Sequence, residues 1–272
     1  MVSICILGYG VFRINDEKIC EQCVYDALMT GYRLIDTAAN YQNEEVVGRD
    51  IKRSDIPREE IFVTTKLAIP EAGYDNTKKA FERSLNKLQL DYLDLYLVHM
   101  PYGDVYGSWR AMEELYRAGR IRAIGVSTHS AARVLDLKIH NEIPPAVSMV
   151  EAHPFFQQTE HASVMKENNI QMEAWGPLAQ GNFNIFTNEV LMSISKKHGK
   201  SVAQVTLRWL IQRSIVAIPK SVHKERIAEN FDIFDFELSQ EDMSMIASLN
   251  TNKSIFHDLG EVGYLKACHD FK

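Results

Sequence analysis

Ionisable side chains stand at the ends of several short apolar runs of the chain. Asp36, Lys66 and His99 each end such a run, and Tyr41 follows shortly after Asp36. A lysine ammonium beside a phenol lowers the pKa of the phenol from its ordinary value of about 10. A tyrosine tuned in this way can give a proton to a developing alkoxide at neutral pH. A paired aspartate would hold the lysine charged, and a neutral histidine would orient a carbonyl by a hydrogen bond.

This set of side chains contains neither a nucleophile nor a metal triad, so no metal is expected. It suits proton donation coupled to hydride delivery, and hydride delivery needs a nicotinamide cofactor. The residues are far apart in the chain. The hypothesis therefore depends on a fold that brings them together.

The elements that must position these residues alternate between apolar runs and amphipathic stretches, which predicts strands and helices in turn. The predicted strands cover residues 4–7, 33–36, 61–66, 92–99, 121–127, 146–151, 170–175 and 215–220. The predicted helices cover residues 18–30, 43–52, 77–88, 108–118, 131–140, 160–168, 189–212 (one or two helices), 224–230 and 239–249, with an irregular tail beyond Asn250. Eight repeated β/α units favour a closed parallel (β/α)8 barrel, the TIM barrel, over an open sheet.

A barrel of this kind needs roughly 250 residues, and the chain has 272. We expect a single domain over residues 1–272, because no linker or charge block divides the chain. A Rossmann domain is not expected, since Arg13 stands where a dinucleotide-binding loop that begins at Gly8 needs its third glycine. A barrel has its active site where its strands end, and the predicted strands end at or next to Asp36, Lys66, His99, Ser127, Glu151, Trp175 and Lys220.

Charge and composition argue against other classes of protein. The net charge of -6 argues against a nucleic-acid partner. No apolar stretch approaches the roughly 20 residues that span a bilayer, and residues 1–7 do not read as a signal peptide. We therefore expect a cytoplasmic protein with no membrane partner. Of the cysteines Cys5, Cys20, Cys23 and Cys268, the CxxC pair falls on a predicted helix with no second pair to complete a zinc set.

Five short motifs, each near a predicted strand end, resemble those of the aldo-keto reductase family. Residues 31–48, GYRLIDTAANYQNEEVVG, contain a DTAxxY motif. Residues 64–67 (TTKL), 97–101 (LVHMP), 124–127 (IGVS) and 218–221 (IPKS) are similar to the lysine, histidine and cofactor motifs. The resemblance runs almost from end to end and is closest to bacterial-type diketogluconate and aldehyde reductases. It implies an NADP-dependent oxidoreductase that reduces small aldehydes, keto acids or diketones to alcohols.

The resemblance also implies roles for individual residues. Asp36, Tyr41, Lys66 and His99 would form a catalytic tetrad with Tyr41 as the general acid. NADPH would lie at the C-terminal rim of the barrel, and the substrate would contact Phe12, His99 and Met100. The cofactor contacts would be Ser127 at the carboxamide, Trp175 on the nicotinamide ring, Lys220, Ser221 and Arg226 at the 2′-phosphate, Glu229 and Asn230 at the adenine, and also Thr128, Met149, Gly176, Leu178 and Val222.

The chain departs from the family pattern at several positions. Thr128 stands where relatives usually carry asparagine, and Ser148 and Met149 stand where they carry an asparagine and a glutamine. The glutamine contact to the carboxamide is then lost, and Thr128 would replace part of it. Met100 replaces a tryptophan that often lines the substrate pocket. Lys220 and Arg226 beside a helix start still favour NADPH over NADH.

Two other functions stay open for this sequence. A lysine at a strand end can form a Schiff base with a carbonyl compound, which would make Lys66 the nucleophile of a lyase. A subunit that binds NADPH and reports the redox state to a partner, with slow or no turnover, would keep the same motifs. Relatives are mostly monomers or weak dimers, so we expect a monomer or a weak homodimer.

Overall fold

The computed structural model describes residues 4–255, in which eight parallel strands form a ring inside a layer of helices. Each strand pairs with the next one in chain order. The ring closes because Gly8 N donates to the Ala217 carbonyl at 2.9 Å and Gly10 N donates to the Pro219 carbonyl at 3.1 Å. The predicted (β/α)8 barrel is confirmed, with strands β1 (Tyr9–Gly10), β2 (Leu34–Asp36), β3 (Phe62–Leu67), β4 (Leu93–Val98), β5 (Ile121–Ser127), β6 (Val147–Glu151), β7 (Gln171–Trp175) and β8 (Val216–Ile218).

Helices follow the strands and cover the outside of the barrel. The helices are α1 (Glu17–Thr30), α2 (Glu44–Arg53), α3 (Tyr74–Leu88), α4 (Val105–Arg117), α5 (Ala131–His140), α6 (Thr159–Glu167), α7 (Glu189–His198), α8 (Val202–Gln212), α9 (Lys224–Phe231) and α10 (Gln240–Ala247). The predicted stretch 189–212 is two helices, because Gly199 takes a left-handed φ of 63° and ends α7. Among the helices of residues 4–255, none combines the length and the apolar character needed to cross a membrane.

The prediction of a first strand over residues 4–7 is wrong, because β1 is formed by Tyr9 and Gly10. Ile4, Cys5 and Ile6 instead pack against the apolar side chains that fill the inside of the barrel. An apolar run buried in this way has the same composition as a buried strand, so periodicity does not separate the two. Residues 251–255 are irregular, as predicted. The rest of the tail, and Cys268, lie outside the described residues.

The inside of the barrel is apolar at its centre and polar where the strands end. Side chains alternate along each strand between the inside of the barrel and the helices. The inward apolar side chains belong to Leu34, Phe62, Leu95, Leu97, Ala123, Val147, Met149, Val216 and Ile218. Along β2 the next inward position after Leu34 is Asp36, and along β3 the inward positions after Phe62 are Thr64 and then Lys66. The alternation therefore places the side chains of Asp36 and Lys66 above the apolar centre, at the C-terminal rim.

Candidate active site

Lys66 joins the residues of the predicted tetrad at the C-terminal rim. Its Nζ atom donates to Asp36 Oδ1 at 2.6 Å, to the Thr37 carbonyl at 2.8 Å and to the Tyr41 hydroxyl at 3.4 Å. His99 follows β4, and its ring centroid lies 5.7 Å from that of Tyr41. Four residues spread over more than sixty positions of the sequence thus come together around one ammonium group.

The loop that holds Tyr41 is fixed by hydrogen bonds between buried polar groups. Tyr41 ends a short 3-10 turn after β2, and Tyr41 N donates to the Ala38 carbonyl at 3.0 Å. The Thr37 hydroxyl donates to Asn43 Oδ1 at 2.7 Å, and Asn43 Nδ2 donates to the Val11 carbonyl at 3.0 Å. These bonds tie the loop to the residue after β1, so the phenol has a defined position beside Lys66.

Burial and neighbouring charge set the protonation states of Lys66 and His99. Burial alone would lower the pKa of Lys66, but the Asp36 carboxylate and the Tyr41 hydroxyl raise it above the ordinary lysine value. The ammonium is therefore charged at neutral pH. Burial, with the nearby Lys66 charge, lowers the pKa of His99 to about 3. Its imidazole is neutral at physiological pH and can donate one hydrogen bond.

The prediction that Lys66 brings the pKa of Tyr41 below its ordinary value is wrong for the net effect. Burial raises the pKa of Tyr41 by more than the Lys66 ammonium lowers it, and the Asp36 charge raises it further. The phenol is consequently protonated throughout the neutral range. This is the form that a proton donor needs, and the ammonium at 3.4 Å still stabilises the phenolate left after donation.

A cavity of about 2010 Å³ opens above these residues at the C-terminal ends of the strands. Phe12 and Met100 line it next to Tyr41, and the Phe12 ring centroid lies 4.9 Å from that of Tyr41. A cavity of this volume can take an extended ligand as well as a small substrate. Its lining also includes the predicted cofactor residues Ser127, Thr128, Met149, Trp175, Gly176, Leu178 and Lys220.

Two hydroxyl groups and an indole lie on one side of the cavity. Ser127 Oγ and Thr128 Oγ1 are 3.1 Å apart, and Thr128 N donates to the Met149 carbonyl at 2.7 Å. Thr128 has a left-handed φ of 64°, which is unfavourable for a β-branched residue. Trp175 ends β7 and lines the same cavity. Hydroxyls can pair with an amide group and an indole can stack on an aromatic ring, so this side fits a nicotinamide.

Cationic side chains lie at the far end of the cavity and beyond it, where β8 leads into α9. Lys220 and Arg226 are exposed, and neither has an ion-pair partner among residues 4–255. The Ser221 hydroxyl accepts a hydrogen bond from His223 N at 3.1 Å. Unpaired cations near a helix N-terminus suit a phosphate group. The cavity lining reaches Lys220, whereas Ser221, Val222, Arg226, Glu229 and the buried Asn230 lie beyond it.

The sequence reasoning missed the contribution of the segment that follows α10. Glu151, at the end of β6, accepts hydrogen bonds from the Ser254 hydroxyl and from Ile255 N, the latter at 2.8 Å. His153 Nε2 lies 2.9 Å from the same carboxylate. Asn252 and Ser254 thereby become part of the cavity wall. Glu151 was visible as an ionisable strand end, but its partners Ser254 and Ile255 lie about a hundred positions away in the chain.

Comparison with known proteins agrees with this geometry. A model of the aldo/keto reductase family matches residues 7–251. The chain is 51% identical to the glyoxal reductase of Bacillus subtilis, over 91% of this chain and 90% of that protein. An aldo-keto reductase structure from a Medee basin deep-sea metagenome library has a TM-score of 0.94 and 46% identity, covering 96% of this chain and 97% of that one. The Bombyx mori aldo-keto reductase in complex with NADP has a TM-score of 0.89 and 33% identity, covering 97% and 93%. The chain therefore belongs to the aldo/keto reductase family, whose members are NADPH-dependent oxidoreductases.

Proposed function

We propose that the protein reduces aldehydes and ketones to alcohols with Tyr41 as the proton donor. The observation that supports this most directly is the Tyr41 hydroxyl, which lies 3.4 Å from the charged Lys66 ammonium at the edge of the cavity. A bound NADPH supplies the hydride for the carbonyl carbon. The protein then has to supply a proton for the carbonyl oxygen.

The tetrad would deliver that proton from the Tyr41 phenol to the carbonyl oxygen. The protonated Tyr41 phenol gives its proton to the oxygen as negative charge develops there. The Lys66 ammonium, held by Asp36 at 2.6 Å, stabilises the phenolate that remains. The neutral His99 donates a hydrogen bond to the carbonyl and orients it toward the phenol. Each group is already in the protonation state that its step requires.

The cofactor contacts are a second part of the proposal. Ser127 and Thr128 would bind the carboxamide, and Met149 would offer only an apolar contact where relatives have a glutamine. Trp175 would stack on the nicotinamide ring. The remaining contacts would be Gly176 and Leu178 along the cofactor, Lys220, Ser221, Val222 and Arg226 around the 2′-phosphate, and Glu229 and Asn230 near the adenine.

The substrate class that fits this cavity is a small carbonyl compound. Phe12 and Met100 provide apolar walls beside Tyr41, and a compact aldehyde or dicarbonyl would contact them while its oxygen faces the phenol and His99. The similarity to a glyoxal reductase points to the same class. Lys66 is charged, fully buried and hydrogen-bonded through all three N–H groups, so its amine is not available to form a Schiff base.

The test of this proposal is the Tyr41→Phe variant. Removing one hydroxyl removes the proton donor without changing the walls that would bind the cofactor. We expect kcat for glyoxal-type aldehydes to fall by about 10³-fold or more, while the Kd for NADPH, measured by fluorescence titration, changes less than about twofold. Near-wild-type turnover in this variant would refute the role of Tyr41. Absence of turnover in the wild type across aldehydes, keto acids and diketones would instead favour a redox-reporting subunit.

A further inference from the structure

Glu173 is a glutamate that the tetrad does not use, and it lies inside the barrel. It is in the middle of β7, where it pairs in register with Met149 on β6 and Val216 on β8, both of which fill the barrel interior. Trp175, two positions later on the same strand, also packs against that interior. Side chains two apart on a strand share a face. The Glu173 carboxyl group therefore lies on the inner face of the barrel.

Among residues 4–255, no hydrogen bond offsets the cost of burying this carboxyl group. Glu173 is 0% exposed, and within residues 4–255 neither of its oxygens has a hydrogen-bond partner. A carboxylate placed in an apolar interior without a partner is very unfavourable, and such a group takes up a proton instead. The neighbouring strands offer only the apolar side chains of Val147, Met149, Val216 and Ile218.

The charged groups that act on Glu173 already form an ion pair with each other. Asp36 and Lys66 interact with it electrostatically, and these two form an ion pair of 2.6 Å. A lysine ammonium has three N–H groups, and Lys66 uses all of them for Asp36, Thr37 and Tyr41. One ammonium cannot balance two buried carboxylates, so one of the two acids must be neutral. Tyr41, His99, Glu151 and Lys220 are further titratable groups that line the cavity at this end of the barrel, together with Arg13, Glu44, Glu71, Arg83, Lys87, Tyr102, His129, Arg133 and His161.

We infer that Glu173 holds a proton and is a positioning residue for the Asp36–Lys66 pair, because in its neutral form it leaves the ammonium paired with Asp36 alone. The inference rests on the proposed function for its catalytic meaning. Burial raises the pKa of Glu173 well above its ordinary value, and the Asp36 charge raises it further, against a lowering by Lys66. An ionised Glu173 would place a second negative charge beside Lys66 and make Tyr41 a weaker acid. The proton on Glu173 thus keeps the phenol able to donate.

Infrared difference spectroscopy of the cofactor-free protein tests the protonation state directly. We expect the wild type at pH 8 to show the carbonyl stretching band of a protonated carboxylic acid. The band should be lost in Glu173→Gln and retained in Glu151→Gln, the matched variant of a buried glutamate that accepts two hydrogen bonds. If the band is missing from the wild type, or survives in Glu173→Gln, the inference is overturned.

The pH profile of kcat tests the effect on Tyr41. If Glu173 is neutral, Glu173→Gln exchanges one uncharged group for another, and the alkaline limb stays within about 0.3 pH units of the wild type. If Glu173 is ionised, the exchange removes a negative charge, and the limb moves down by about one unit or more, which overturns the inference. Turnover by Tyr41→Phe would refute the proposed proton donor whatever the infrared result. An absent infrared band with an inactive Tyr41→Phe would refute only the role of Glu173.

Discussion

Lys66 is the residue on which the geometry of the site depends. It is 1% exposed, yet it is charged, because each of its three N–H groups has an oxygen partner. A buried ammonium can stay charged in a protein interior when every one of its N–H groups donates a hydrogen bond. The same three bonds fix the distance to the Tyr41 hydroxyl. Charge and geometry at the site are therefore set by one side chain.

Lys220 and Arg226 lead to a prediction about cofactor choice. Both cations are unpaired within residues 4–255, and a 2′-phosphate is the group by which NADPH differs from NADH. We expect Lys220→Ala or Arg226→Ala to raise the Kd for NADPH about tenfold or more, while the Kd for NADH changes less than about twofold. Fluorescence titration with each cofactor measures both values.

A nearby lysine provides the control for this prediction. Lys224 begins α9 but pairs with Asp26 at 3.3 Å, so Lys224→Ala should affect NADPH much less than either of the other variants. Equal weakening of NADPH and NADH in Lys220→Ala and Arg226→Ala would show that these side chains do not bind the 2′-phosphate.

Thr128 leads to a prediction about stability. Its left-handed φ of 64° is costly for a β-branched residue, whereas asparagine adopts this conformation readily. We expect Thr128→Asn to raise the free energy of unfolding by about 1 kcal/mol, as measured by urea denaturation. Thr128→Val keeps the branched shape and should give no gain. A destabilised Thr128→Asn would mean that the hydroxyl contact with Ser127 outweighs the backbone strain.

Much of the site could be predicted at the residue level because its motifs are local. The segment that contains Asp36 and Tyr41 is a continuous stretch of sequence, and the residues around Lys66 and His99 are equally compact motifs. The net direction of the Tyr41 pKa shift could not be predicted. It depends on how strongly the folded barrel excludes water from the phenol, and burial of this kind is not encoded in any short segment.

At the level of elements, the contact between α1 and α2 contains an unfavourable group. Asp50 on α2 is fully buried, and in the described part of the chain neither carboxylate oxygen has a hydrogen-bond partner. Burial raises the pKa of Asp50 to about 7, although the nearby Arg53 lowers it in part. Below its ordinary pKa of 3.8 the group is neutral in the folded and the unfolded chain alike. Between that pH and about 7 the folded chain binds more protons, so stability falls as pH rises.

This behaviour predicts a stabilising substitution. We expect Asp50→Asn to raise the free energy of unfolding by about 1–3 kcal/mol at pH 8, because a neutral amide costs less to bury than a carboxylate that, among residues 4–255, accepts no hydrogen bond and has only the Arg53 guanidinium at 3.8 Å. The gain should shrink when the same denaturation is measured near pH 4. Asp55→Asn, at an exposed position close by, is the control and should change little. A gain that is equal at both pH values would contradict the titration of Asp50.

The elements themselves were predicted well where an amphipathic pattern is long. α3 and α4 begin three residues earlier than predicted, at Tyr74 and Val105, because their first turns show little apolar periodicity. β1 was misplaced because it is only two residues long and ends in a glycine. A Cβ at the neighbouring Gly8 would lie 2.3 Å from Leu34 Cδ2, so packing inside the barrel, which the sequence does not show, determines where the chain can pair.

At the scale of the whole molecule, the site is assembled from every part of the described chain. The β1 end supplies Phe12, β2 to β4 supply the tetrad, and the segment after α10 supplies Ser254. The contacts of Glu151 with residues 254–255 could not be predicted, because no short motif links positions so far apart. Convergence of this kind explains why the family motifs locate the tetrad but leave the far wall of the cavity undefined.

The closure of the ring between β8 and β1 has a consequence for synthesis of the protein on the ribosome. The bonds from Gly8 and Gly10 to Ala217 and Pro219 join positions about 210 residues apart. A nascent chain must therefore keep its first strand unpaired on one side until most of the polypeptide has been translated. Unpaired strand edges promote association with other chains. Until β8 has been synthesised, the open edge of β1 is therefore exposed to association of this kind.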